Sequence, residues 1–158
     1  TDAELVRYGT MIAQCIWYLA NVSGSTGDQC ANQYWPPADA DAWYAGHVPA
    51  GAALTHFVID SSRNGQGPWI PPPHPPGDAQ DWCNPPDRGV GYRPTANTGQ
   101  ALLDAYLWVK IPGESDGGCY RWTGGPQDPV RNRIDPAAGQ WFADMALELA
   151  QNANPPLQ

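Results

Sequence analysis

Two short apolar runs constrain this chain more than any other feature. Leu54 to Ile59 (LTHFVI) ends at Asp60, and Leu102 to Val109 (LLDAYLWV) ends at Lys110, the only lysine. Both runs are rich in β-branched and aromatic residues, and both are closed by stretches crowded with Gly, Pro and Asn. That is the pattern of a buried strand. Strands apolar along their whole length are covered on both faces, as in a parallel sheet flanked by helices. Thr1-Asp2-Ala3-Glu4 has the form of a capping box, and Leu5, Tyr8, Ile12, Cys15 or Ile16, and Leu19 follow at helical spacing. A helix is therefore expected over about 2–20. A last helix is expected over about 140–152, with Trp141, Met145 and Leu149 on one face and Pro155-Pro156 as its stop. The order helix, strand, long loop, strand, long loop, helix places the chain in the α/β class. Residues 21–52 read as an irregular insertion with a helical turn at Ala38–Ala45, and Pro68 to Pro76 (PWIPPPHPP) as a stiff polyproline-like surface loop.

In parallel α/β folds, function gathers in the loops after the carboxyl ends of the strands. Here one expected strand ends in Asp60. The other runs into Lys110, with Glu114 and Asp116 in the loop that follows. An isolated K-x-x-x-E-x-D pattern is most often a solvated turn. At the end of a rigid strand, a cation and two carboxylates form a candidate reaction site. Reading Glu114, Asp116 and Asp104 as a Ca²⁺ site fails, because Lys110 would stand among the ligands and repel the cation.

At 158 residues and 42% hydrophobic, the chain has room for one domain with a real core. No apolar run is long enough to cross a membrane. A net charge of −8 with no basic patch argues against nucleic acid and against anionic membrane surfaces. Eight Trp and seven Tyr against two Phe is an unusual balance. Trp and Tyr join a flat apolar face to a polar edge, which suits stacking on sugar rings, although Trp17 and Trp108 lie in periodic segments and are expected in the core. The four cysteines, Cys15, Cys30, Cys83 and Cys119, have neither C-x-x-C spacing nor a nearby His pair, so zinc is not expected. No metal or cofactor is expected at all. An even cysteine count with one Lys and 18 Pro points to an exported chain with two disulfides, whose pairing three arrangements would satisfy. No signal-peptide pattern opens the sequence, which for a secreted protein implies a processed or truncated form.

Three long segments resemble glycoside hydrolase family 6, the cellulases, in the C-terminal half of its catalytic domain. They are Phe57 to Pro68 (FVIDSSRNGQGP); Asp81 to Pro86 (DWCNPP), running on to Pro94-Thr95-Ala96-Asn97-Thr98-Gly99; and Leu103 to Lys110 followed by Pro112 to Gly117 (PGESDG). A weaker fourth joins Ala138 to Phe142 with Asn152 to Pro155. Order and spacing agree over 53–155, the helix at 2–20 fits the element before the first strand, and 21–50 matches nothing. The resemblance implies that residues 1–158 form the C-terminal portion of a distorted parallel (β/α) barrel, incomplete in this chain. It also implies inverting hydrolysis of β-1,4-glucan, that is, cellulose and polysaccharide degradation by a secreted enzyme. Asp116 is then similar to the family's suggested catalytic base, and Lys110 and Glu114 to the pair that binds the sugar beside the cleaved bond. Trp82 is similar to an aromatic subsite platform, and Asp60 and Arg63 are expected as a supporting ion pair or as groups orienting the acid. Cys83 with Cys119, three residues after Asp116, resembles the endo-acting members, which leaves Cys15 to pair with Cys30.

The family's general acid lies in the half that this chain does not contain, so the isolated chain is expected to be inactive. Its expected partners are a β-1,4-glucan or cello-oligosaccharide, and either the missing N-terminal half or a second copy of the chain. A cellobiohydrolase of the same family and a non-catalytic glucan-binding module are the alternative readings.

Overall fold

The computed structural model describes residues 1–76 and 80–157. The chain divides into two compact units. One comprises Thr1–Asp2, Asp60–Pro94 and the residues from Leu107 onward; the other comprises Ala3–Ile59 and Thr95–Tyr106. The division follows the apolar clusters, which lie within one unit or the other.

In the second unit, α1 (Asp2–Asn21) packs against α2 (Pro37–His47). Met11, Tyr18, Cys30, Ala31, Ala40, Tyr44 and Val48 form the core between them, with Trp17 and Trp43 partly buried against it. Cys15 and Cys30 are disulfide-bonded, with Cα atoms 5.8 Å apart. Within the stretch 21–52, the helical turn expected at Ala38–Ala45 is the longer helix α2. Pro37 stands in the first turn of α2, where its missing N–H costs nothing. Ala40 and Tyr44, four residues apart, then bury one face, and the Tyr44 hydroxyl donates to the Ala31 carbonyl at 2.7 Å.

Strands β1 (Phe57–Asp60) and β2 (Leu103–Leu107) pair in parallel. Phe57 N–H donates to Leu102 O at 3.0 Å and Ser61 N–H to Leu107 O at 2.7 Å. Ile59, Leu103 and Tyr106 bury against Leu5, Val6 and Phe57 of the same unit. Both strands are shorter than the apolar runs that announced them. Lys110 lies three residues beyond β2 rather than at its end. Val58 is 53% exposed, so β1 is not covered on both faces by the described residues.

The first unit is organised by α3 (Ala143–Gln151). Met145 and Leu149 of this helix pack with Phe142, Val90 and Ala153, and Trp108 lies against them. The helix starts later than its apolar spacing suggests, and Trp141 is not on its face. Trp141 instead pairs antiparallel with Glu114. Ser115 N–H donates to Gln140 O at 2.8 Å and Phe142 N–H to Gly113 O at 2.7 Å. These bonds commit the backbone before Ala143 to an extended ladder, and Trp141 remains 63% exposed. The proline-rich segment is not a free loop. Its Trp69 lies under the Arg121 guanidinium at 4.7 Å, and its His74 stacks on Trp122 at 4.8 Å.

Candidate active site

The site forms where β1 and the segment after β2 meet, within the first unit. Asp60, the last residue of β1, accepts backbone N–H groups from Ser62 (3.0 Å), Val109 (3.2 Å) and Lys110 (3.2 Å). A carboxylate at a strand end thereby pins the stretch that carries the lysine. Asp60 and Arg63 do not form the ion pair expected of them. With its oxygens taken by backbone donors, Asp60 leaves Arg63 to extend to Asp116, where Nη1 donates to Oδ2 at 2.5 Å. Lys110 Nζ stands 3.4 Å from Asp116 Oδ1 and 3.8 Å from Glu114 Oε1.

Two cations thus converge on one carboxylate whose side chain is only 11% exposed. Burial alone would push the Asp116 carboxyl up. The Arg63 hydrogen bond, the Asn84 backbone N–H and the charges of Arg63 and Lys110 outweigh it and hold the group below the ordinary carboxylate range. Asp116 is therefore ionised at any neutral or mildly acidic pH.

Trp82 presents its indole to solvent at 67% exposure, directly before the buried Cys83 and Asn84. Cys83 is disulfide-bonded to Cys119, with Cα atoms 5.7 Å apart. An open indole face can stack on a flat apolar surface. In the interior of the same unit, Cys119, Asp128 and Asp135 cluster within 4.8 Å. The donor set does not suit a cation, because the sulfur is in a disulfide and Asp128 is held by Arg121, both fully buried. Burial, with the nearby Asp128 charge, pushes the Asp135 carboxyl up against the opposing effects of Asn84, Arg131 and Arg121.

A strand-end carboxylate and a carboxylate held ionised by two cations thus lie in one unit, with an exposed indole two residues before Asn84. Residues 6–153 match the family model described as glycosyl hydrolases family 6. The chain belongs to this family. It is 42% identical over 122 residues to endoglucanase A of Cellulomonas fimi, covering 77% of this chain and 22% of that protein. It is 41% identical over 114 residues to a probable 1,4-beta-D-glucan cellobiohydrolase C of Aspergillus niger, covering 63% of this chain and 22% of that protein. Among solved structures, cellobiohydrolase II of Humicola insolens in complex with glucose and cellotetraose aligns with a TM-score of 0.51 and 31% identity. That alignment covers 87% of this chain and 38% of the Humicola protein. The chain thus spans about a fifth of the length of the curated relatives it matches.

In this family 6 chain, Arg63, Lys110, Glu114 and Asp116 come together, and Asp60 joins them through the backbone it pins. Trp82 is not among them; it stands two residues before Asn84, a site residue that the sequence does not single out. Asn84 N–H donates to Asp116 Oδ2 at 2.9 Å, and its Oδ1 accepts the Asp116 N–H at 2.8 Å. Its signal was present but faint: an Asn directly after a cysteine, at a position where the backbone takes φ +38°, which Asn tolerates better than most residues.

Proposed function

We propose that this chain supplies part of the active site of an inverting cellulase, forming the C-terminal half of a family 6 catalytic domain whose strands complete a distorted (β/α) barrel. The observation that carries the reading is Asp116, ionised between Arg63 and Lys110 with Glu114 alongside. In inverting hydrolysis a carboxylic acid protonates the leaving oxygen while a carboxylate on the opposite face assists the attacking water. Asp116 is the carboxylate of that pair. A base clasped by two cations is a weak one, so its work is chiefly to hold and polarise the water and to balance charge developing on the sugar. Lys110 and Glu114 bind hydroxyls of the sugar beside the cleaved bond, and Trp82 stacks on a neighbouring glucose.

The general acid must be a carboxyl held protonated. Among the described residues Asp135 is the one whose carboxyl is pushed up, yet it is only 5% exposed and bonded to the buried Asn84, so it cannot reach a leaving oxygen. By resemblance to the family, the acid belongs to the half of the domain that lies outside this chain, and the chain alone is inactive. Resemblance to the endo-acting members, in the placing of Cys119 three residues after Asp116, inclines the reading to endo action; matches to an endoglucanase and to a cellobiohydrolase keep exo action as the second reading. Cellulose lies outside the cell, and two disulfides suit secretion.

The test uses the intact enzyme. Asp116→Ala should lower kcat on soluble cello-oligosaccharides by about a hundredfold or more with KM little changed, and the parent's product should carry the inverted anomeric configuration by NMR. A kcat within about threefold of the parent would remove Asp116 from the base role. A steep viscosity loss per bond cleaved identifies endo action, and a shallow one exo action.

A further inference from the structure

We propose that Asn84 is the positioning residue of Asp116: its buried side chain, oriented by Asp135, locks the backbone that aims the Asp116 carboxylate. The inference rests on the reading of Asp116 given above. Arg63 and Lys110 supply charge, but both are long, flexible side chains. A carboxylate that must hold one water needs a stiffer support.

Asn84 provides it. The residue is fully buried. Its N–H donates to Asp116 Oδ2, and its side-chain Oδ1 accepts the Asp116 N–H, at 2.9 and 2.8 Å. Two bonds running in opposite directions between the same pair close a ring around Asp116. An amide has two faces of nearly equal shape, and the ring forms only if oxygen faces Asp116.

The far side of Asn84 enforces that choice. There Nδ2 meets three acceptors: Ser115 Oγ at 3.1 Å, Gly117 O at 3.0 Å and Asp135 Oδ2 at 3.0 Å. Ser115 presents its oxygen because its own hydroxyl donates to Pro136 O at 2.8 Å. A flipped amide would set oxygen against three acceptors and nitrogen against an N–H, losing several buried hydrogen bonds. The Asp135 carboxyl holds this far side from within the core, at 5% exposure. The charged groups around it are Asp128, Arg131 and Arg121, and those around Asp116 are Arg63, Lys110 and, through Lys110, Glu114.

Three variants of the intact enzyme test the assignment. Asn84→Gly deletes the side chain and tolerates the left-handed backbone. Asn84→Asp keeps an acceptor toward Asp116 but sets a carboxylate oxygen against Asp135. Asn84→Asp with Asp135→Asn exchanges donor and acceptor across that contact. The readouts are kcat and KM on a soluble cello-oligosaccharide, ¹³C NMR titration of the Asp116 carboxyl, and the melting temperature. Asn84→Gly should lower kcat about tenfold or more with KM within about threefold, and the Asp116 titration should move up toward the ordinary carboxylate value. Asn84→Asp should lose as much, and the double variant should regain a clear part of it. An Asp116 titration and kcat unchanged in Asn84→Gly would overturn the assignment. A double variant no better than Asn84→Asp would remove Asp135 from it. Should Asn84→Gly not fold, the exchange pair decides. Should the parent hydrolyse no glucan, the function fails, while the NMR titration still judges whether Asn84 positions Asp116.

Discussion

Asp116 is held ionised by groups of different reach, and each leaves its own trace in pH dependence. Its native pKa lies below the unfolded value, so it contributes stability that is fully present above about pH 4 and lost as pH falls through the native value. Asp135 runs the other way. Its native pKa is raised, so its ionisation in the folded protein costs stability at neutral pH, and acidification relieves that cost. Asp116→Asn should therefore flatten the acid side of the stability profile, read from urea midpoints between about pH 2 and 7. Arg63→Met should raise the Asp116 pKa and move the acid limb of kcat to higher pH; a limb that stays in place would show that Lys110 and Asn84 suffice. Lys110, Glu114 and Asp116 were legible as a group because a single seven-residue span, shortly after an expected strand, carries all three. Arg63 as their partner was not, because its contact with Asp116 spans 53 positions and depends on Asp60 spending its oxygens on backbone donors.

At the scale of elements, the two strands and the first helix could be read because their apolar periodicity is local. What displaced the rest was pairing between distant segments. Trp141 has the spacing of a helix residue, yet the Glu114 ladder claims it, and α3 starts only at Ala143. The fit of that ladder depends on Gly113, at φ +88°. A Cβ there would stand 2.5 Å from the Ala146 Cβ and 2.8 Å from the Trp141 ring. Gly113→Ala should therefore cost about 1–3 kcal/mol in denaturant unfolding and displace Glu114 from Lys110. An unchanged midpoint would show that Trp141 can swing aside freely. The Cys83–Cys119 bridge ties the Trp82–Asn84 segment to the residues after Asp116 across 36 positions. Chain entropy assigns such a closure about 4 kcal/mol. Cys83→Ser with Cys119→Ser should lose most of that in the same measurement.

For the whole molecule, the informative quantity is how much apolar surface the chain leaves open. Tyr8, Ile12, Ile16 and Leu19 recur at helical spacing along one face of α1, and each is 40–47% exposed. Val58 faces outward from β1, which has β2 as its only strand partner among the described residues. Open apolar faces and an unpaired strand edge are liabilities in a free protein and ordinary features of a buried one. The chain covers 38% of the Humicola enzyme it aligns with, and the proposed remainder of the catalytic domain is the partner of matching kind. The 158-residue chain produced alone should therefore self-associate or bind an apolar dye strongly. Supplied with the remainder of the domain, it should become monodisperse and lose the dye. Size-exclusion chromatography with light scattering reads both states. If the chain alone is a monomer with a cooperative melt and little dye binding, the exposed stripe on α1 needs no cover, and the partial-barrel proposal fails with it.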